Sequence, residues 1–130
     1  MGDRGNIAVE QEHGTVFLYT HWGGSVIDTV LADAFLKGSG RISDQSYFTR
    51  ILFNELQGND RGTTGFGISV GKPDDNEYPI PHVVWPDKGK RPVVRIVNEL
   101  NGQINEWSSD EWLLIHSTSA KEAQRDSDRV

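Results

Sequence analysis

The chain has 130 residues, of which 35% are hydrophobic and 25% are charged, and it carries a net charge of −6 and no cysteine. This composition fits one soluble domain and excludes disulfides, thiolate metal sites and a cysteine nucleophile. The negative charge argues against non-specific binding of nucleic acid, because phosphates require a basic surface. No apolar run approaches the roughly 20 residues that span a bilayer, and the start lacks a signal-like apolar core, so we expect a cytoplasmic protein without membrane contact.

Two strands open the chain. Residues 6–10 and 15–21 carry the apolar pattern of strands and are separated by a turn at His13-Gly14. Both faces of the second strand are largely apolar, which is typical of a central strand or of a strand whose second face lines a cleft.

Two amphipathic helices follow. Ser25, with Asp28 three residues later, predicts the N-cap of the first helix, which ends at Gly38. Ser43 or Asp44 caps the second helix, and Gly58 ends it. The apolar side chains recur at helical spacing, as Val26, Ile27, Val30, Leu31, Ala34 and Phe35, and then as Tyr47, Phe48, Ile51, Leu52 and Leu56.

The second half is rich in strands. Residues 65–71, 82–85, 92–97 and 103–107 are predicted as strands, and Ser108 with Glu111 forms a capping box for a short last helix. The order ββααββββα predicts an α+β fold, in which an antiparallel sheet of five to six strands carries two helices on one face. We expect a single domain over residues 1–116. Residues 117–130 have almost no apolar content and are expected to form a disordered tail.

The candidate site is a corner where the second strand leads into the first helix, defined by residues 19–25. Helix-start N–H groups attract anions, and Gly23 and Gly24 allow a ligand to approach the backbone. Ser25 offers a hydroxyl, His21 a hydrogen-bond donor, and Tyr19 or Trp22 a stacking surface for a base. The alternative is a tight turn in which the glycines adopt positive φ and the indole is buried.

Three further residues extend this hypothesis. Arg50 borders the apolar stripe of the second helix, and Arg4 precedes the first strand, so either guanidinium is a candidate to hold a phosphate. Alternatively, Arg50 lays its stem over the core and keeps its charge in water. Gly67 lies on a strand face made only of Gly and Ser, which leaves room for close approach.

The pattern favours non-catalytic binding of a small anionic ligand, such as a nucleotide or a nucleotide signal, without a cofactor. No metal is expected, because the four histidines are widely separated: His13, His21, His82 and His116. One alternative is a protein-interaction module that uses the acidic run at 74–77, such as a phage inhibitor of a host enzyme. Another is a small hydrolase in which Asp60 or Asp75 orients His21.

Several segments resemble a family of small bacterial and phage-borne proteins. They are Met1-Gly2-Asp3-Arg4-Gly5-Asn6-Ile7, Val16-Phe17-Leu18-Tyr19-Thr20-His21-Trp22-Gly23-Gly24, Tyr47-Phe48-Thr49-Arg50-Ile51 and Thr64-Gly65-Phe66-Gly67-Ile68. The resemblance covers roughly the first 80 residues. Because the family has no established activity, the resemblance implies no mechanism. It marks Arg4, His21, Trp22, Gly23, Gly24, Arg50 and Gly67 as positions to test.

Overall fold

The computed structural model describes residues 2–128, and for residues 124–128 the backbone alone. Within this range the strands are β1 Gly5–Gln11, β2 Gly14–Thr20, β3 Phe66–Val70, β4 His82–Val84, β5 Val93–Val97 and β6 Ile104–Ser108. The helices are α1 Ile27–Lys37, α2 Gln45–Gln57, α3 Ser109–His116 and α4 Thr118–Asp128. The fold is α+β, as predicted. None of these helices is long and apolar enough to cross a membrane.

The six strands form one mixed sheet in the order β3-β2-β1-β4-β5-β6. Four neighbouring pairs are antiparallel, but β1 and β4 are parallel, with Ala8 opposite His82. The predicted antiparallel pairing is confirmed for these four pairs, and the parallel β1–β4 pair was not predicted. Hairpins give antiparallel neighbours only where consecutive strands pair, whereas the 71–81 connection carries the chain from β3 past β2 to the far side of β1.

Helices α1, α2 and α3 pack on one face of the sheet. The sheet supplies Ile7, Val9, Leu18, Val83 and Val94 to the core, and the helices supply Leu31, Phe35, Phe48, Leu52 and Trp112. The helical spacing of Phe48, Leu52 and Leu56 places all three on the buried side of α2. Phe35 and Phe48 stack with centroids 5.3 Å apart and thereby join α1 to α2. This packing confirms the predicted pair of helices on one face.

The predicted boundaries of α2 and α3 are confirmed. Asp44 caps α2 by accepting from the amide of Tyr47. Gly58 ends the same helix with φ of 57°, a value that favours glycine. Ser108 and Glu111 form the full capping box of α3. Val26 and Tyr47 were predicted to lie on the apolar, buried sides of the two helices, and this is wrong because each is 50% exposed.

A helix occupies most of the segment that was expected to be a disordered tail. Ser117 is buried, and the amide of Thr118 donates to Asp33 Oδ1 at 2.9 Å. This contact attaches the start of α4 to α1, a tertiary interaction that composition alone does not reveal. The last two residues of the expected tail, Arg129 and Val130, lie outside the described residues.

A strand to helix corner and an exposed sheet edge

The amides of the corner are bound within the protein. Gly23 N donates to Thr20 Oγ1 at 3.1 Å, and Gly24 N donates to the Asp3 carbonyl at 2.7 Å. Ser25 N donates to Asp3 Oδ2 at 3.1 Å, and Val26 N donates to the Gly23 carbonyl at 3.1 Å. The expectation that these amides face an open ligand site is therefore wrong.

The carboxylate of Asp3 occupies the place of an anion at the corner. Its Oδ2 also accepts from Ser25 Oγ at 2.7 Å, and its Oδ1 accepts from the Tyr78 hydroxyl. The hydrogen bond from Tyr78, followed by those from Ser25, holds the pKa of Asp3 below its ordinary value. The same bond to Asp3 raises the pKa of Tyr78. A charge-assisted network therefore attaches residues 2–4, which we call the N-terminal arm, to the corner.

The local geometry of the corner corrects two predictions. A 3-10 turn at Gly24–Val26 precedes α1, and Ser25 does not cap this helix. The φ of Gly23 is −119°, so the turn does not depend on a left-handed glycine. At Gly24 an added Cβ would lie 2.7 Å from the Tyr78 ring and 2.8 Å from the Asp3 carbonyl oxygen. Glycine is needed at this position because the N-terminal arm packs directly against it.

The imidazole of His21 is held by its neighbours. The Tyr19 hydroxyl lies 2.8 Å from His21 Nδ1. Burial, followed by the negative charges of Asp74 and Asp75, raises the pKa of Tyr19. On the other side of the ring, a Cβ added at Gly2 would lie 2.8 Å from His21 Nε2. Among the described residues no carboxylate bonds this ring, so the arrangement required by the hydrolase hypothesis is not assembled there.

The acidic segment of the 71–81 connection binds the N-terminal arm. Arg4 Nη1 lies 3.3 Å from Asp75 Oδ2, and Arg4 Nη2 lies 3.7 Å from Glu77 Oε1. Glu77 also accepts from the Arg4 amide at 2.6 Å. The buried side chain of Asn6 donates to the Asp75 carbonyl at 3.1 Å. The Arg4 guanidinium is therefore already paired with two carboxylates.

The indole of Trp22 remains 60% exposed. It meets the His21 ring edge-on, with centroids 4.2 Å apart, and its Nε1 lies 3.2 Å from the position of a Cβ added at Gly65. Gly65 directly precedes β3, on which Ile68 and Val70 are 60% and 76% exposed. We call Trp22, which lies beside the start of β3, and the exposed β3 residues Ile68 and Val70 the edge strip.

The outer edge of β3 presents unpaired backbone groups. His21 N donates to Gly65 O at 2.8 Å, and Gly71 N donates to Thr15 O at 2.9 Å, so the odd-numbered residues of β3 bond to β2. Phe66, Ile68 and Val70 consequently direct their N–H and C=O groups away from the sheet. In the described chain no strand pairs on that side. β3 also contains no charged residue or proline, which commonly protect edge strands.

The structure brings most of the predicted site residues together but separates one of them. Arg4 and the corner residues are neighbours, and Gly67 lies opposite Tyr19 in the β2–β3 pair. Arg50 is exposed on α2 and makes no hydrogen bond or ion pair with the corner within the described chain. Two open hollows, of about 560 and 860 Å³, are lined by other residues. In the part of the chain described, no group of three His, Asp or Glu side chains is placed to hold a metal.

Asp3 is not among the predicted site residues, and its position depends on the register of the β1–β2 hairpin. Gln11 pairs with Gly14, so a two-residue turn sets the β1–β2 register. Extending this register two residues beyond the Gly5–Thr20 pair places Asp3 opposite Trp22. The turn predicted at His13-Gly14 lies one residue earlier, at Glu12-His13, and a two-residue turn at the predicted position would have placed Asp3 opposite Gly24.

Comparisons with models of protein families, with curated proteins and with solved structures give no match. The resemblance to bacterial and phage-borne proteins therefore stays a prediction. Functional interpretation depends on the geometry of the corner and of the β3 edge.

Proposed function

We propose that this chain is a non-catalytic protein-interaction domain that binds a partner protein along β3. The observation that carries the proposal is the unprotected outer edge of β3, where the three outward residues Phe66, Ile68 and Val70 each present an unpaired N–H and an unpaired C=O group. An added strand satisfies such groups by main-chain hydrogen bonds, which is a common mode of protein recognition.

The edge strip supplies apolar contact beside these backbone groups. Burying the exposed parts of Ile68 and Val70 would stabilise a complex by roughly 1–2 kcal/mol for each side chain. Trp22 adds a large side chain of the type that dominates many interfaces. Because His21 and Gly65 already hold the indole on two sides, its ordering on binding should cost little.

The acidic segment has a smaller part in this proposal. Asp75 and Glu77 bind Arg4 and thereby hold the 71–81 connection against β1. Asp74 makes no ion pair among the described residues and faces water after the end of β3. A basic residue on the partner would find this carboxylate accessible.

Binding of a small anionic ligand, such as a nucleotide, is the second candidate. It is supported by the exposed indole of Trp22, which offers a stacking surface, and by the Arg4 guanidinium on the neighbouring arm. The ligand would have to displace Asp75 or Glu77 from Arg4. Calorimetric titration with mono-, di- and cyclic nucleotides tests this candidate. It predicts heat from the wild type that Trp22→Ala abolishes, and an absence of heat from folded wild type would reject it.

A pair of matched variants tests the protein-interaction proposal. Ile68 on β3 and Ile104 on β6 are each 60% exposed, so Ile68→Lys and Ile104→Lys introduce the same charge on opposite edges of the sheet. When a cell extract is passed over the immobilised proteins, wild type and Ile104→Lys should retain a protein that Ile68→Lys does not retain. The complex should then be rebuilt from purified proteins and measured by calorimetry. Equal retention by both variants would exclude β3 as the binding edge.

A further inference from the structure

We infer that the partner that fits β3 is a second copy of this chain, paired antiparallel through β3 with Ile68 on the two-fold axis. This inference rests on the proposed function, since it assigns an occupant to the same edge. In the dimer the two six-stranded sheets would form one continuous sheet across the interface.

The outward backbone groups are self-complementary only in certain registers. With Ile68 opposite Ile68, Phe66 of each copy lies opposite Val70 of the other. All three are outward-facing residues, so each opposed pair exchanges two hydrogen bonds and every outward group of β3 finds a partner. A shift of one copy by one residue would oppose outward groups to residues whose groups already bond β2.

The side chains are compatible with the same register. Phe66, Ile68 and Val70 alternate with Gly67 and Ser69 and therefore share one face of the strand. Pairing brings the two Ile68 side chains together and sets Val70 against Phe66, which removes exposed apolar surface from water. On the opposite face, Gly67 and Ser69 are too small to hinder the approach.

The segments that flank β3 carry complementary charges. Asp60 and Arg61 precede the strand, and Lys72 and Asp74 follow it; all four are exposed, and within the described residues none forms an ion pair. An antiparallel two-fold places the preceding segment of one copy beside the following segment of the other. Each end of the interface therefore combines Asp60 and Arg61 with Lys72 and Asp74, two acidic and two basic side chains without net charge, and the register places Arg61 beside Asp74.

The other sheet edge is less suited to this pairing. On β6 the amide of Ser108 donates to Glu111 Oε1 at 2.9 Å, and the charged side chain of Glu106 is held by Arg95 at 2.6 Å. If the copies pair through β3 alone, the two-fold contact closes and gives a dimer, whereas pairing through both sheet edges would give a filament. A five-residue strand edge is a small interface, so the association should be weak and depend on concentration.

Sedimentation velocity over a concentration series tests the inference. Wild type and Ile104→Lys should shift from monomer to dimer as concentration rises, while Ile68→Lys should remain monomeric over the same range. Circular dichroism should show the same fold for both variants, since each isoleucine is largely exposed. A wild type that stays monomeric at about millimolar concentration would overturn the inference, as would equal dimerisation of the two variants.

A charge exchange tests the register. Arg61→Asp opposes the new acid to Asp74 of the other copy and should weaken the dimer several-fold, and Asp74→Arg should weaken it similarly. The double variant Arg61→Asp/Asp74→Arg restores opposite charges and should recover dimerisation. A double variant weaker than both single variants would refute the antiparallel register.

These outcomes separate the inference from the proposed function. A monomeric wild type that binds a different protein, with loss of binding in Ile68→Lys, would refute self-pairing and leave the interaction domain intact. A monomeric wild type that retains no protein at all, or retains the same proteins as Ile68→Lys, would refute both.

Discussion

Helices α1 and α3 both begin close to the end of a strand, yet their first amides are satisfied in opposite ways. At α3 the partners are local: Glu111 N donates to Ser108 Oγ at 3.0 Å, and Ser108 N donates to Glu111 Oε1 at 2.9 Å. At the corner before α1 the partner is remote in sequence, because Asp3 accepts from both Gly24 and Ser25. A local cap can be read from four residues, whereas a remote one requires the strand register.

This difference explains why the corner resembled a ligand site. Two glycines, a helix start and nearby aromatic residues are the features of an anion site. The protein supplies its own anion there, as the Asp3 carboxylate. A helix start without a local cap can therefore indicate an internal carboxylate as well as an external ligand.

The largest effect that we expect is from Gly24→Ala. The added methyl group would lie within 2.8 Å of the backbone of Arg4 and Asp3, where neither side can easily yield. Overpacking of this kind should cost about 3 kcal/mol of unfolding free energy, measured by urea denaturation. Gly40→Ala is the matched control, because nothing lies within 4 Å of its added Cβ, and it should change stability by less than about 0.5 kcal/mol. Equal effects would contradict the close packing at the corner.

Asp3→Ala should come next, with a loss of unfolding free energy smaller than that of Gly24→Ala and larger than that caused by removing the local cap at Ser108. It removes the acceptor of Ser25 and of the Tyr78 hydroxyl and leaves their donors unpaired. Added phosphate should then raise the melting temperature of Asp3→Ala more than that of the wild type, because an anion can replace the carboxylate. The same phosphate response in both proteins would show that Asp3 does not act as an internal anion.

Ser108→Ala should have a smaller effect. It removes one side of the capping box of α3 and should lower the unfolding free energy by about 1 kcal/mol, as N-cap substitutions do. Ser39→Ala, at an exposed position in a 3-10 turn, is the control and should be nearly neutral in the same urea denaturation. A Ser108→Ala loss larger than that of Asp3→Ala would reverse the ranking of the two helix starts.

The smallest effects should appear in acid. The pKa of Glu111 is lowered from 4.5 by its hydrogen bonds from Ser108, and that of Asp3 is lowered from 3.8 by Tyr78 and Ser25. Because each folded pKa lies below the unfolded one, the unfolded chain binds protons more tightly. The stabilisation is present above the ordinary pKa and is lost as pH falls, beginning near 4.5 at α3 and near 3.8 at the corner. Thermal melts should show a shallower acid loss for Glu111→Gln and Asp3→Asn in their respective windows; unchanged slopes would contradict these assignments.

The sequence predicted those features that depend on neighbouring residues. The spacing of Phe48, Leu52 and Leu56 placed α2, and Ser108 with Glu111 placed the start of α3. Contacts between distant segments were missed because periodicity carries no information about them. The parallel β1–β4 pair and the bond from Thr118 to Asp33 are of this kind.

Within the candidate site, the expectation about aromatic residues close in sequence was correct, and the one about Arg50, which is distant in sequence, was not. The aromatic residues around His21 are adjacent in sequence and do lie together. Arg50 was assigned to the site across 25 residues or more, and it lies exposed on α2 without a contact to the corner among the described residues. The exposed edge of β3 could not be predicted, because strand order decides which strand lacks a neighbour.

The parallel pairing of β1 has a consequence for biosynthesis. β1 is completed by residue 11, but its second neighbour, β4, is not made until residues 82–84. On the ribosome the β1–β2 hairpin and both following helices can therefore assemble while the side of β1 that later pairs with β4 remains unpaired. Nascent chains that stop before β4 should keep this side accessible to chaperones and prone to aggregate, so productive folding depends on finishing translation.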